Sequence, residues 1–554
     1  MSTGSANSAP RAGGGTPSSY DAIVVGGGHN GLTTAAYLAK SGMKTLVLER
    51  RPILGGACVT EEVWPGARVS RCSYVVSMLQ AKVISDLRLK DFGYKAYPLD
   101  PAYAAMTEDG PIFFYNEVEK TVESIRKFSP KDADNYEQFE DLLERTASFL
   151  RPMLLREPPA LGSKSPGDIA SLLREGARVA GLSRRDINDL IRIFTMSVGD
   201  LLDDWVEHDA LKGSIASTGV VGVWAGPRTP GTAYNLLHHA LGELDGVGGV
   251  WGQVVGGMGA ISMAIAKSAE AHGATILTEA EVASIDVEGG RVAGVTLSNG
   301  DQFRAPIVAS GAHPKSTVLD MVGAEHFPDE VATDMQRYRT RGGSVKVNYV
   351  LNEAPQYANV TPEEQKLLLG AGVNICPSID YLEAAWQDAL QGRPAVSPYI
   401  EAEYPSSIDD SLTDDSRTIM TMFTQYGPSE ESEWAEGDRE KYGETCIDML
   451  TRFAPNFRES IDQYEVLAPP DLERIFGLQG GSIFQGEQGM NQMAFMRPTP
   501  DMAQYSTPVG GLYLCGAGTH PGGGVTAASG HNAAQKILKD RRGVKWPWRR
   551  KASA

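Results

Sequence analysis

Residues 20–51 read YDAIVVGGGHNGLTTAAYLAKSGMKTLVLERR. The apolar run Ala22 to Val25 predicts a buried strand, the residues after Gly31 an amphipathic helix, and Thr45 to Glu49 a second strand. Together they make one βαβ unit. Gly26, Gly28 and Gly31 fall between strand and helix with the GxGxxG spacing of a dinucleotide site. The first glycine makes the tight turn, the second lets backbone N–H groups approach a pyrophosphate, and the third lets helix and strand pack closely. The phosphates would sit on the helix N-terminus, whose unpaired N–H groups and dipole favour anions. Glu49, 18 residues after Gly31, stands where a carboxylate receives ribose hydroxyls. The motif alone leaves NAD and FAD open.

The rest of the 554-residue chain is too long for one hydrophobic core, so more than one domain is expected. Apolar residues are 42% and charged residues 22% of the total, an ordinary balance for a folded globular protein. A formal net charge of −18 repels phosphate backbones and argues against nucleic acid as a partner. The five cysteines, Cys58, Cys72, Cys376, Cys446 and Cys515, contain no CxxC pair and no zinc-like spacing. We therefore expect free buried thiols, a reducing, cytoplasmic setting and no metal. Residues 1–19 are rich in Ser, Gly, Ala and Pro, with no apolar signal segment and no Arg-rich amphipathic helix of the mitochondrial type. They read as a disordered tail, and no segment is long and apolar enough for a transmembrane span.

Along the chain, Glu117 to Leu211 carries helical spacing interrupted at Pro152, Pro158, Pro159 and Pro166. Glycine-rich α/β texture returns near Val250, with a hairpin turn at Asn299-Gly300. Strand-like SVKVNYVLN and TIMTMFTQY and helix-like REKYGETCIDMLTRFAP fill the region from about 340 to 475. GLYLCGAGTHPGGGVTAASGHNAAQKILKD closes the chain as strand, glycine loop and helix. The expected division is a discontinuous dinucleotide domain from 20–100, 250–335 and 480–540. A substrate domain from 101–249, largely helical, and 336–479 is inserted in two pieces. The tail 541–554 interleaves cations with Trp546 and Trp548, a composition suited to peripheral contact with an anionic membrane surface.

The stretch ERRPILGGACVTEE places Arg50, Gly55, Gly56 and Ala57 directly after Glu49. With the opening motif and the segments VSRCSYVVSML, WGQVVGGMGA, PPDLERIFGLQGGSIF and GLYLCGAGTHPGGGVTAASGHNAA, it resembles the phytoene desaturase-type flavoproteins. The amine oxidases share their superfamily. The resemblance spans nearly the whole chain. It implies an α/β fold of the glutathione-reductase-like (GR2-type) FAD/NAD(P)-binding Rossmann class with an inserted α+β domain, and noncovalent FAD. Gly26, Gly28, His29, Asn30 and Gly31 would then lie at the pyrophosphate, Glu49 at the ribose, and Arg50, Gly55, Gly56 and Ala57 along the diphosphate. The backbone of Val282 would lie near the adenine. The glycine loop containing Gly516, Thr519, Gly523, Gly524 and Val525 opens a helix, whose N-terminus suits the negative charge of a reduced flavin, so the ring is expected there.

Disulfide reduction needs a thiolate pair beside the flavin, which these cysteines do not offer. No second nucleotide fold is evident: Gly257-x-Gly259-x-x-Ser262 lacks the third glycine. Oxygen, a quinone or another acceptor is therefore the expected electron partner. His520, in the flavin-facing loop, is the first candidate for acid–base work because histidine titrates near neutrality. His29, His313 and His531 are further candidates, and Arg68, Arg71, Ser73 and Tyr74 follow the second FAD signature toward the ring. His238 and His239, in YNLLHHALG, are candidates to face the substrate cavity, but adjacent residues point to different sides of a helix, and a helix-surface location is expected for them. The resemblance implies hydride transfer between flavin and a hydrophobic, isoprenoid- or lipid-like molecule, desaturating or saturating a C–C bond. Amine oxidase-like C–N oxidation and a non-catalytic, regulatory or lipid-binding role on the same fold are the alternatives.

Overall fold

A computed structural model describes residues 18–160 and 166–543. Five short strands pair in parallel in the order Thr275–Leu277, Thr45–Leu48, Ala22–Val25, Val308–Ser310 and Leu512–Leu514. Their residues are almost all buried, as expected for a parallel sheet covered on both faces. The strands come from three separated stretches of chain. One face carries the helices His29–Lys40, Gly259–Ala271 and Ala528–Gly543. The first is buried along nearly its whole length because Thr33, Thr34, Ala35, Ala36 and Ala39 are small enough for neighbours to approach. Gly530 marks the closest approach: a Cβ there would lie 2.2 Å from the Asn30 carbonyl oxygen.

The hairpin strands Val282–Glu288, Arg291–Leu297 and Gln302–Arg304 cover the other side, and Ser18–Ser19 runs parallel to the last of them. The tail prediction for 1–19 falls outside the described residues except at Ser18 and Ser19, which form this short strand. Of the basic tail only Arg541 to Gly543 are described, and they end the last helix.

The second body is built on a seven-stranded mixed sheet in the order Ile461–Leu467, Ser344–Leu351, Thr418–Gln425, Tyr399–Glu403, Gly372–Ile375, Tyr103–Thr107 and Gly110–Phe114. The parallel pairing of Gly372–Ile375 with Tyr103–Thr107 joins early and late segments in one sheet. Helices Val118–Arg126, Pro130–Leu150, Pro166–Ala180 and Arg184–Thr195 follow the early strands. Pro166 opens its helix at the first position, where a missing N–H costs nothing. The strands at 103–114 precede the helical spacing that starts at Glu117 and belong to the stretch 101–249 expected to be largely helical. They are short and buried, so periodicity does not separate them from helix.

Candidate functional site

The turn after Ala22–Val25 needs its glycines for two reasons, one conformational and one steric. Gly26 has φ +96°, and a Cβ on Gly31 would lie 2.2 Å from the Gly26 carbonyl oxygen. The helix then starts at His29 with no acidic residue in its first turn, leaving the His29, Asn30 and Gly31 N–H groups at its positive end. Glu49 Oε2 accepts the Gly27 N–H at 2.7 Å and its Oε1 accepts the Arg51 N–H at 2.9 Å, which ties the end of the second strand to the glycine turn. Gly55 and Gly56 also have positive φ, and Gly55 donates its N–H to the Gly27 carbonyl at 2.9 Å.

This turn is one end of a continuous cavity of about 1090 Å³. Of the sequence-predicted cofactor residues, Gly26, Gly28, His29, Asn30, Gly31, Glu49, Arg50, Gly55, Gly56, Ala57, Val282, Gly516, Gly524 and Val525 all line it. Thr519 and Gly523 do not. The Thr519 hydroxyl donates to the Gly516 carbonyl at 2.8 Å, and Gly523 packs against Phe484, where a Cβ would meet that side chain at 2.4 Å. Both shape the loop from behind. The guanidinium of Arg50 is engaged by the carbonyls of Arg474 and Ile475.

The histidines divide sharply. His29, His239 and His313 line the cavity, each with a buried Nε2 that has no hydrogen-bond partner. His313 Nδ1 accepts the Lys315 N–H at 3.1 Å, which assigns its proton to the free Nε2 and makes it a donor. His520 does not line the cavity: its Nε2 meets the Met153 carbonyl at 3.0 Å on the far side of the loop. Burial pushes it down to about 4, so it is a neutral packing residue at physiological pH rather than a near-neutral acid–base group. His531 pairs with Asn532 and stacks edge-on against Tyr37. The surface location expected for His238 and His239 is wrong, because Phe484, Trp251 and the neighbouring helices close over their helix and bury both. Of the residues following the second signature, Ser73 and Tyr74 line the cavity. Arg68 is spent on Asp414 and Arg71 on Glu465.

The opposite wall is the seven-stranded sheet, and its chemistry comes from register. Asn374 pairs with Glu401, Glu401 with Phe423, and Phe423 with Lys346, which puts all four on one face in one row across four strands. Tyr74 stacks on Phe423 with centroids 5.8 Å apart, donates its hydroxyl to Glu401 at 2.9 Å, and lies under the Lys346 ammonium at 5.1 Å. Glu403, two residues along, reaches over Gly372, where a Cβ would lie 2.3 Å from its Oε1. Burial raises the carboxyls of Glu401 and Glu403 above the usual range and brings Lys346 down to about 7. Glu401, Glu403 and Asn374 line the cavity, and Asn374 Oδ1 is buried without a partner.

Sequence reasoning overlooked this wall. The signal was present as period-2 polarity in two buried strands, Ser344, Lys346 and Asn348 in one and Glu401 and Glu403 in the other. All five cysteines are free and buried. Cys58 donates its S–H to the Met258 carbonyl at 3.1 Å, and burial pushes it up to about 11 and Cys72 up to about 12. Neither is a thiolate poised for disulfide exchange. Among the described residues no group of three His, Cys, Asp or Glu side chains is arranged for a metal ion, and no helix is long and apolar enough to cross a membrane.

Comparison with known proteins agrees with this geometry. A family model described as flavin containing amine oxidoreductase matches residues 31–538. Pyridine nucleotide-disulfide oxidoreductase domain-containing protein 2 of Rattus norvegicus is 36% identical over 543 residues, covering 94% of each chain. The lycopene-forming phytoene desaturase of a Paracoccus strain is 25% identical, covering 95% of this chain and 98% of its own. Among solved structures, a single-substitution mutant of putrescine oxidase shares the fold with a TM-score of 0.59 at 15% identity, covering 95% of this chain and 99% of its own.

Proposed function

The chain belongs to the flavin containing amine oxidoreductase family and is an FAD-dependent oxidoreductase. On that premise we propose that its cavity holds noncovalent FAD along the glycine turns and a hydrophobic substrate against the seven-stranded sheet. The fold is then of the GR2 type, with that sheet as the floor of the inserted substrate domain. The residues fit the cofactor. The helix N-terminus at His29 to Gly31 is open to a pyrophosphate, Glu49 faces the cavity, and the free Nε2 of His313 offers a donor in the lining it shares with Gly516 and Ala517. The bound flavin supplies the two-electron chemistry. The protein's own part is to orient the substrate and keep water from it.

The observation that carries this reading is the size and lining of the cavity. It exceeds the roughly 300–1000 Å³ of a single small-molecule site and continues past the glycine turns between Tyr103, Phe114, Phe139, Ile215, Leu236 and Phe484. That space suits an isoprenoid- or lipid-like molecule undergoing hydride transfer at a C–C bond, with oxygen, a quinone or another protein as electron partner. The phytoene desaturase similarity supports the same class. Glu401 and Glu403 support a second reading, C–N oxidation of an amine whose ammonium they would receive. The test is anaerobic mixing of the FAD-loaded protein with carotenoid, isoprenoid and amine panels while the flavin absorbance is followed. Bleaching by the apolar panel supports the first reading, and bleaching confined to amines replaces it with the second.

A further inference from the structure

Arg497 is the one arginine among the described residues with no exposed surface, at 0%. Its guanidinium donates to the carbonyls of Gln492 at 3.2 Å, Ala517 at 3.1 Å and Phe484, while its Nε has no partner. It makes no salt bridge to a carboxylate of the described residues. The contrast with Lys346 is direct, since that buried cation faces Glu401, Glu403 and Glu465. A charge removed from water without a counter-ion is costly, and three carbonyl dipoles offset only part of that cost.

The position of the charge is informative. Phe484 and Ala517 line the cavity, so the guanidinium stands one carbonyl behind its wall. It also turns both carbonyl oxygens away from the cavity, removing two negative dipole ends from the surface a ligand would meet. The Gly516–Val525 loop wraps around it: a Cβ on Gly522 would lie 3.6 Å from Nε and 3.7 Å from Cζ. His238, His313 and His520, all neutralised mainly by burial, are pushed further down by this charge. The wall is therefore electropositive, and the groups around it resist taking a proton.

An oxidised flavin ring is neutral. Hydride transfer adds two electrons and one proton, so the reduced ring carries one negative charge. We propose that Arg497 is the fixed positive charge that balances the reduced flavin, a positioning residue acting through the carbonyls of Phe484 and Ala517 on a ring seated against the 516–525 loop. This rests on the placement of FAD given above. The buried cation without an anion is then half of a pair whose other half appears only when the cofactor is reduced.

The test is the midpoint potential of FAD in the full-length protein, measured anaerobically at pH 7 against reference dyes, for the wild type, Arg497→Met, Arg497→Lys and Gln488→Glu. Gln488 provides a charge test that leaves the guanidinium in place. Its Nε2 lies 3.2 Å from the position of a Cβ on Gly522 and the Arg497 Nε lies 3.6 Å from the same point, and both Gln488 amide atoms are buried without partners. Loss of the charge in Arg497→Met and its neutralisation in Gln488→Glu should each weaken binding of reduced relative to oxidised FAD at least tenfold, a fall of about 30 mV for a two-electron couple. Arg497→Lys should stay within about threefold of the wild type. An unchanged potential in Gln488→Glu, with FAD bound at full stoichiometry, overturns the proposal, and it decides the matter if Arg497→Met fails to hold FAD. A wild type that takes up no FAD overturns the cofactor placement itself, a failure distinguishable from the first.

Discussion

Glu49 reaches from the end of its strand to accept the N–H of Gly27 at 2.7 Å, so the residue expected at the ribose also holds the phosphate turn in shape. Glu49→Ala removes that acceptor and leaves a buried N–H unpaired, a loss of about 1–3 kcal/mol. The expected outcome is FAD affinity lower by tenfold or more in a binding titration of the apoprotein. Glu49→Gln, which keeps an acceptor, should fall between the two.

Gly530 and Asn30 bring the last helix against the first. The Gly530 N–H donates to Asn30 Oδ1 at 3.3 Å, and the Thr34 hydroxyl donates to the Gly530 carbonyl at 3.0 Å. Gly530→Ala forces a methyl group into the Asn30 backbone, and overpacking of this kind costs about 1–3 kcal/mol. Denaturant unfolding should show that loss, and an unchanged midpoint would mean that the two helices can slide apart freely.

Glu401 separates the two substrate readings. Glu401→Gln keeps the shape of the wall and the acceptor for the Tyr74 hydroxyl but removes the group that could become anionic. If the enzyme oxidises amines, the rate of flavin bleaching by an amine should fall about tenfold or more, the scale of a charge-assisted hydrogen bond. If it acts on hydrocarbons, their bleaching rate should change by less than about threefold.

Five of the six buried histidines among the described residues make the fold most sensitive to acid. Burial lowers His29, His238 and His520 to about 4 and His239 and His313 to about 3. The unfolded chain binds protons near pH 6.5 while the folded chain resists until pH 4 or below. Stability is therefore complete above 6.5 and falls as the pH drops toward 4, by about 1.4 kcal/mol per pH unit for each such group. Thermal unfolding between pH 7.5 and 4.5 should show a steep decline in Tm, and a flat profile would place these rings in contact with water.

Cys58 and Cys72 should be inert in the native state. Their buried thiols, raised to about 11 and 12, hold almost no thiolate at pH 8. Iodoacetamide should leave both unmodified in the folded protein and alkylate all five cysteines after denaturation. Rapid native alkylation of either would reopen thiol chemistry beside the flavin.

The sequence by itself determined the dinucleotide unit, because everything that unit needs lies within about thirty consecutive residues. An apolar strand, glycines at fixed offsets, a helix of small residues and a terminal carboxylate act through local backbone geometry, and Gly26, Gly28, Gly31, Glu49, Gly55 and Gly56 all reach the cavity. Tertiary structure alone decided which side chains stand together on the wall across from the glycine turns. Asn374, Glu401, Phe423 and Lys346 share a row only because four strands pair in one register. His520, legible as a loop histidine, is turned behind that loop toward Met153. Arg497 becomes a cation without a counter-ion only when Phe484 and Ala517 fold around it. Burial and charge balance are sums over residues distant in the chain, and no local pattern carries them.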